Sequence, residues 1–275
     1  EKQQRLVTAQ GAQVLLFMLT MLLAGMVLSN LVEEKANKII EILAAAPKIP
    51  TEAVMNDPRD KLIIALDVPD VAQAERIVAA LGDTGAVYKI GYQLMPIGGV
   101  DLARRLSERG KKVFLDFKFH DIGATVARGV ASCVVLGCDF LTIHAEHAVV
   151  AGAVEGRGDN KRLKLLAVTV LTSLDQTAID RAGITMRLED LVLKRAEIAA
   201  EGGADGVIAS AREARAIRAR FGERLLIVTP GVRPVGAGLD DKARVLTPAE
   251  AVRAGADLHV VGRPIVNAPD PATAD

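Results

Sequence analysis

The strongest constraint on this chain is an alternation that begins at residue 61. Eight short β-rich runs are separated by Ala/Arg/Glu-rich stretches: 62–67 (LIIALD), 87–91 (VYKIG), 112–116 (KVFLD), 140–144 (FLTIH), 164–170 (KLLAVTV), 206–210 (GVIAS), 225–230 (LLIVTP) and 258–262 (LHVVG). The separators, such as VAQAERIVAALG and AREARAIRARFG, carry apolar residues at three- and four-residue spacing, the period of an amphipathic helix. Strands that are apolar almost throughout, each followed by a helix, imply a parallel sheet with both faces covered. Eight such units in about 215 residues predict an α/β protein, a closed (β/α)8 or TIM barrel near the small end of its size range. The competing arrangement is an open doubly wound sheet. It needs fewer strands, and no G-x-G-x-x-G follows the first run.

The region before residue 61 has a different character. Residues 12–32 contain no charged side chain, and a helix of that length spans about 31 Å, the thickness of a bilayer's hydrocarbon core. This predicts a membrane-spanning helix. A cleaved signal peptide fits less well, because the run is long and Glu33 and Glu34 follow it directly. In 32–46, Val32, Ala36, Ile39, Ile40 and Leu43 recur at helical spacing among charged residues, as in an amphipathic extension. Residues 47–60 hold three prolines and no period, and read as a linker. The expected division is therefore 1–46, 47–60 and 61–275. The stretch GMVLSNLVEEKANKIIEILAAA resembles the membrane subunits of ABC-2 type exporters, over one helix and its extension (about 12–46). One span cannot transport anything alone. The change at the linker suggests a fusion of two unrelated segments.

Composition removes some functions. Lys+Arg and Asp+Glu are each 34, so the net charge is zero, which argues against a nucleic-acid binder with a broad basic surface. Two cysteines, Cys133 and Cys138, with no CxxC, fit a reduced, cytoplasmic compartment and an apolar packing role.

In (β/α)8 barrels, chemistry sits at the C-terminal ends of the strands. Here those positions are unusually polar: Asp67, Lys89, Asp116 with Lys118, His144, Thr172 with Ser173, Ser210, Arg233 and Gly262–Arg263. The densest cluster is Asp116-Phe117-Lys118-Phe119-His120-Asp121. Residues i and i+2 of a strand share a face, so Asp116 and Lys118 point together into the barrel or its mouth. A carboxylate and an ammonium are costly to bury unless paired, and Lys89 on the second strand completes a Lys–Asp–Lys row. A salt bridge that merely closes the barrel is the bland alternative.

DFKFHDI matches the D-x-K-x-x-D-I signature of the orotidine 5'-phosphate decarboxylase family. The similarity continues in order through IALDVPD, YKIG, FLDFKFHDIGAT, TIHA, LAVTVLTS, GVIASAREA, VTPGVRP and VVGRPI, over about residues 60–270. The resemblance implies cofactor- and metal-independent decarboxylation of a pyrimidine nucleotide. It places the charged catalytic network on Lys89, Asp116, Lys118 and Asp121, with Lys118 as proton donor. It places substrate contacts on Asp67 (ribose), Thr125, Thr172 (near the pyrimidine), and Arg233, Gly262 and Arg263 (phosphate). It also implies a homodimer in which Asp121 reaches the neighbouring subunit's site. Lys242 stands where the family usually has Gln, and the family's last helix is largely missing before Asp275. Mg²⁺-dependent sugar-phosphate decarboxylases and aldolases of the same superfamily resemble the signature but carry an acidic residue where Lys89 stands. His144 and His147 form H-x-x-H across a strand end and a loop, which is not helical ligand spacing, and no metal site is expected there. His120 reads as structural. Arg212, Arg215, Arg218 and Arg220 read as the solvated face of one helix.

Overall fold

Each of the eight apolar runs forms a strand that pairs in parallel with its sequence neighbours. The strands are β1 (Leu62–Ala65), β2 (Val87–Ile90), β3 (Lys112–Phe119), β4 (Phe140–His144), β5 (Lys164–Val168), β6 (Gly206–Ile208), β7 (Leu226–Pro230) and β8 (Leu258–Val261). They close in chain order, with β8 pairing back onto β1, so the open-sheet alternative is excluded. The helices are α1 (Val71–Leu81), α2 (Gly99–Glu108), α3 (Gly123–Val135), α4 (His147–Arg157), α5 (Gln176–Arg181), α6 (Leu188–Gly202), α7 (Ala211–Phe221), α8 (Pro248–Arg253) and α9 (Arg263–Val266).

The computed structural model describes residues 58–231, 248–268 and 271. The chain divides into two units, Glu1–Ile49 and Pro50–Asp275. The expected membrane helix at 12–32, its extension to 46 and the linker up to 57 lie outside the described residues, as do Arg233 and Lys242. Among the described residues, no helix is long and apolar enough to cross a membrane.

Strand alternation sorts the core into two layers. Ile63, Ala65, Val87, Phe114, Phe140, Leu166, Val228, Leu258 and Val260 point inward and fill the barrel. The intervening residues, such as Ile64, Tyr88, Leu115, Leu141 and Val207, point outward and pack beneath the helices. Phe114 and Phe140 meet edge to face, with centroids 6.0 Å apart, and plug the barrel below its mouth. Cys133 and Cys138 are buried in the outer layer as free thiols, and burial pushes Cys133 up to about 12. This agrees with a packing role.

The N-terminal end of the barrel is pinned by a repeat that periodicity alone does not reveal. Gly137-Cys138-Asp139, Gly203-Ala204-Asp205 and Gly255-Ala256-Asp257 each lead directly into an even-numbered strand. Each glycine has positive φ, between 72° and 97°, which lets the chain turn sharply from helix to strand. Each aspartate accepts a hydrogen bond from a backbone N–H of the preceding strand: Asp139 from Val113 (2.8 Å), Asp205 from Leu165 (2.9 Å) and Asp257 from Ile227 (2.7 Å). Each also takes an arginine, respectively Arg162, Arg157 and Arg218. The solvated reading of the arginines on α7 therefore fails in part. Arg218 lies inside this pinning network, whereas Arg212, Arg215 and Arg220 are exposed, Arg220 pairing with Glu197 of α6 at the surface.

Asp139 is the most buried of the three, at 3% exposure. Its loss would strand the Val113 N–H and the Arg162 guanidinium. Asp139→Ala should lower unfolding stability by about 2–4 kcal/mol, read from urea denaturation, with little change at the distant barrel mouth.

Candidate active site

The strand runs read from sequence extend too far in most cases and not far enough in one. β1, β2, β5, β6 and β8 end one to two residues early, so Asp67 and Ser210 lie just beyond strand ends, as Thr172 does after β5. Ser210 is not a mouth ligand: it caps α7, accepting from the Arg212 N–H at 3.3 Å. β3 instead runs on to Phe119, which places Asp116 and Lys118 within the strand. Between Leu115 and Phe119 its register against β4 slips, four steps on β3 matching two on β4. Lys118 sits in this bulge with φ of 45°, the only positive value at a non-glycine among the described residues. Such a conformation costs a β-region residue roughly 1–2 kcal/mol.

The expected row of charges forms at the mouth. Lys89 Nζ lies 3.0 Å from Asp67 Oδ1 and 3.3 Å from Asp116 Oδ2, and Lys118 Nζ lies 2.7 Å from Asp116 Oδ1. Asp116 thus bridges two ammonium groups. The buried Thr142 hydroxyl, inward-facing on β4, donates to Asp116 Oδ1 at 3.0 Å and accepts from the Lys118 backbone N–H at 2.9 Å. Burial opposes ionisation of Asp116, but the two ammoniums and the hydrogen bonds from Lys118 and Thr142 outweigh it and hold the carboxyl below its usual range. Gly91 makes room for the row. A Cβ there would come within 3.2 Å of both Asp67 Oδ1 and Lys89 Nζ.

Asp67, Lys89, Asp116 and Lys118 line a cavity of about 490 Å³, with Phe114 among its walls. Thr172, Gly262 and Arg263 line the same cavity, with Gly262 leading into α9. Asp121 and Thr125 do not line it. Asp121 is exposed and accepts from the Ile122 N–H at 2.6 Å, and Thr125 is exposed on the first turn of α3. Arg233 and Lys242 are outside the described residues. His120 is not confined to the interior: it stacks on His144, with centroids 4.5 Å apart, and pairs with Glu146 at 2.9 Å. Burial first, then the neighbouring His120 and Arg195, pull the His144 imidazole below its ordinary value. Among the described residues, no group of three or more His, Cys, Asp or Glu is arranged to hold a metal.

Two neighbours of the network had no role assigned from sequence. Thr142 was legible in principle, since Phe140, Thr142 and His144 alternate inward on β4. Tyr92 was not, because it follows the end of β2, where strand parity no longer gives a direction. Its ring centroid is 5.4 Å from Lys118 Nζ, and its hydroxyl donates to the Phe117 carbonyl at 2.8 Å.

A closed barrel with alternating ammonium and carboxylate groups lining a cavity at its C-terminal mouth defines the architecture of a (β/α)8 enzyme. Residues 60–274 match the sequence profile of the "Orotidine 5'-phosphate decarboxylase / HUMPS family". The chain is 56% identical over 215 residues to the orotidine 5'-phosphate decarboxylase of Methylorubrum extorquens (strain PA1), covering 78% of this chain and 92% of that protein. It is 54% identical over 219 residues to the enzyme of the same name from Afipia carboxidovorans, covering 79% and 92%. The crystal structure of orotidine 5'-phosphate decarboxylase from Lactobacillus acidophilus superposes with a TM-score of 0.69 at 35% identity, over 78% of this chain and 94% of that one. The chain belongs to the orotidine 5'-phosphate decarboxylase / HUMPS family.

The depressed Asp116 value has a definite sign. Its ionised form is favoured by folding, so its contribution to stability is full above the ordinary carboxylate range and is lost as pH falls through the folded value. Below about pH 4 the wild type should therefore lose stability more steeply than Asp116→Asn, as read from urea midpoints across the acid range.

Proposed function

We propose that this chain decarboxylates orotidine 5'-phosphate to uridine 5'-phosphate, the closing step of pyrimidine nucleotide synthesis, without a cofactor. The observation that carries this reading is the Lys89–Asp116–Lys118 row at 3.3 and 2.7 Å, inside a 215-residue region that is 56% identical to an enzyme of that name. In the reaction the ring carbon–carboxylate bond breaks, CO₂ leaves neutral, and the electron pair stays on the ring carbon. No ordinary electron sink is attached to that carbon, so fixed positive charge must stabilise the pair. Lys118 supplies that charge and then donates its proton to the carbon. Asp116 faces the departing carboxylate, whose loss relieves the repulsion between two like charges. Lys89 keeps Asp116 ionised and also contacts Asp67, the residue assigned to the ribose.

Gly262 and Arg263 receive the phosphate, Arg263 through a planar fork suited to its oxygens. Thr172, on the same cavity wall, lies toward the base. Arg233 and Lys242 are assigned to the same phosphate end from sequence. Binding energy from this remote group helps organise the charged row around the reacting ring. The Mg²⁺-dependent alternative is disfavoured by Lys89, whose ammonium stands between Asp67 and Asp116 where a divalent cation would need those carboxylates.

Asp121 and Thr125 serve a second subunit's cavity in a homodimer. Their exposure, beside an Ile122 that is 69% exposed, supports an intersubunit position. The family match begins at residue 60, in agreement with a domain boundary within 47–60. For residues 12–32, the reading as a membrane-contacting segment rests on the sequence pattern alone.

Lys118→Ala should reduce turnover to background in an ultraviolet assay run in chelator-treated buffer, while uridine 5'-phosphate still binds. Near-wild-type turnover by the variant, or loss of wild-type activity on chelation, would sink the assignment. Mixing inactive Lys118→Ala with inactive Asp121→Ala should restore about a quarter of wild-type activity, because half the dimers then hold one intact site. If Asp121 acts within its own chain, the mixture stays inactive.

A further inference from the structure

We propose that Tyr92 and Thr142 are positioning residues that clamp the two ends of the Phe117–Lys118 peptide and thereby hold Lys118 against Asp116. This rests on the reading of Lys118 as the proton donor and deepens it.

The need for a clamp follows from the strand geometry. The β2–β3 ladder ends at the Ile90–Leu115 pair, so β3 continues past its neighbour on that side. On the other side the β3–β4 register breaks between Leu115 and Phe119. The peptide joining Phe117 to Lys118 therefore lies where regular strand partners have run out on both edges. A strained backbone survives only where its surroundings over-determine it. Here a side chain takes the place of a strand on each side. The Tyr92 hydroxyl donates to the Phe117 carbonyl at 2.8 Å, and the Thr142 hydroxyl accepts from the Lys118 N–H at 2.9 Å. Both polar atoms of a single peptide plane are thus fixed, and with them the φ of 45° that turns the lysine inward.

The same two residues also act on the Lys118 side chain's surroundings. The Tyr92 ring lies 5.4 Å from the ammonium, within cation–π reach. The Thr142 hydroxyl donates to Asp116 Oδ1, the atom that Lys118 Nζ also contacts. Without the clamp, the peptide can relax to negative φ and carry the ammonium away from Asp116. Substrate binding through the phosphate end is untouched by that relaxation, because Gly262 and Arg263 lie on another strand end. The predicted signature is therefore a loss in kcat with KM preserved.

Tyr92→Phe keeps the ring and removes only the hydroxyl, and the residue is 55% exposed, outside the packed core. Its kcat for orotidine 5'-phosphate should fall more than fivefold, with KM within about threefold of wild type. Thr142→Val should show the same split, and Thr142→Ser, which keeps the hydroxyl, should recover most of the lost kcat. A kcat for Tyr92→Phe within fivefold of wild type, a change in KM alone, or a Thr142→Ser as slow as Thr142→Val overturns the proposal. A crystal structure of Tyr92→Phe gives a readout independent of activity. Lys118 at negative φ, or its ammonium displaced from Asp116, supports the clamp, and an unchanged Lys118 refutes it. A wild-type protein that fails to consume orotidine 5'-phosphate would instead refute the proposed reaction, and the crystallographic arm would still decide the clamp.

Discussion

A single carboxylate organises the mouth of this barrel. Asp116 is largely withdrawn from water, a position that would normally favour its neutral form. It stays ionised because Lys89 approaches one oxygen and Lys118 the other, with the Thr142 hydroxyl on the second. Each member needs the others. Remove one ammonium and the carboxylate is buried at a cost; remove the carboxylate and two like charges face each other across the cavity. An array held this rigidly is already oriented when substrate arrives, so little reorganisation remains for the reaction itself.

The barrel separates this charged layer from the groups that keep it closed. At the N-terminal end, three Gly-x-Asp turns join neighbouring strands through an aspartate and an arginine each. Between the ends lies the apolar filling, with Phe114 and Phe140 in contact. Ion pairs at the N-terminal end therefore serve closure, whereas those at the mouth face an open cavity. The same residue types do both jobs. What separates them is the setting: each turn aspartate also accepts a backbone N–H of the neighbouring strand, whereas the charges at the mouth line a cavity.

The bulge in β3 illustrates how strain is placed. Parallel pairing would have kept Lys118 in an ordinary extended conformation. At the register slip it takes positive φ instead, and side chains from β4 and from the loop after β2 supply its contacts. Among the described residues this cost falls on one non-glycine residue, the lysine proposed as proton donor.

Much of this was legible in the chain itself. The eight-fold alternation implied a closed parallel barrel, because apolar strands followed by amphipathic helices can be covered on both faces in few ways. The i and i+2 spacing of Asp116 and Lys118 implied that they share a face, and the parity of β2 brought Lys89 beside them. Tertiary structure decided the rest. Residue spacing carries no signal for a register slip between two strands, so neither the extension of β3 nor the strained Lys118 could be read from it. Tyr92 acquires its place only because a loop folds back over the end of β3. Asp121 and Thr125 share the stretch FLDFKFHDIGAT with Lys118 yet lie outside the cavity, because the chain leaves the strand before reaching them. Local pattern determines which face of an element a residue occupies; only closure of the barrel determines what that face meets.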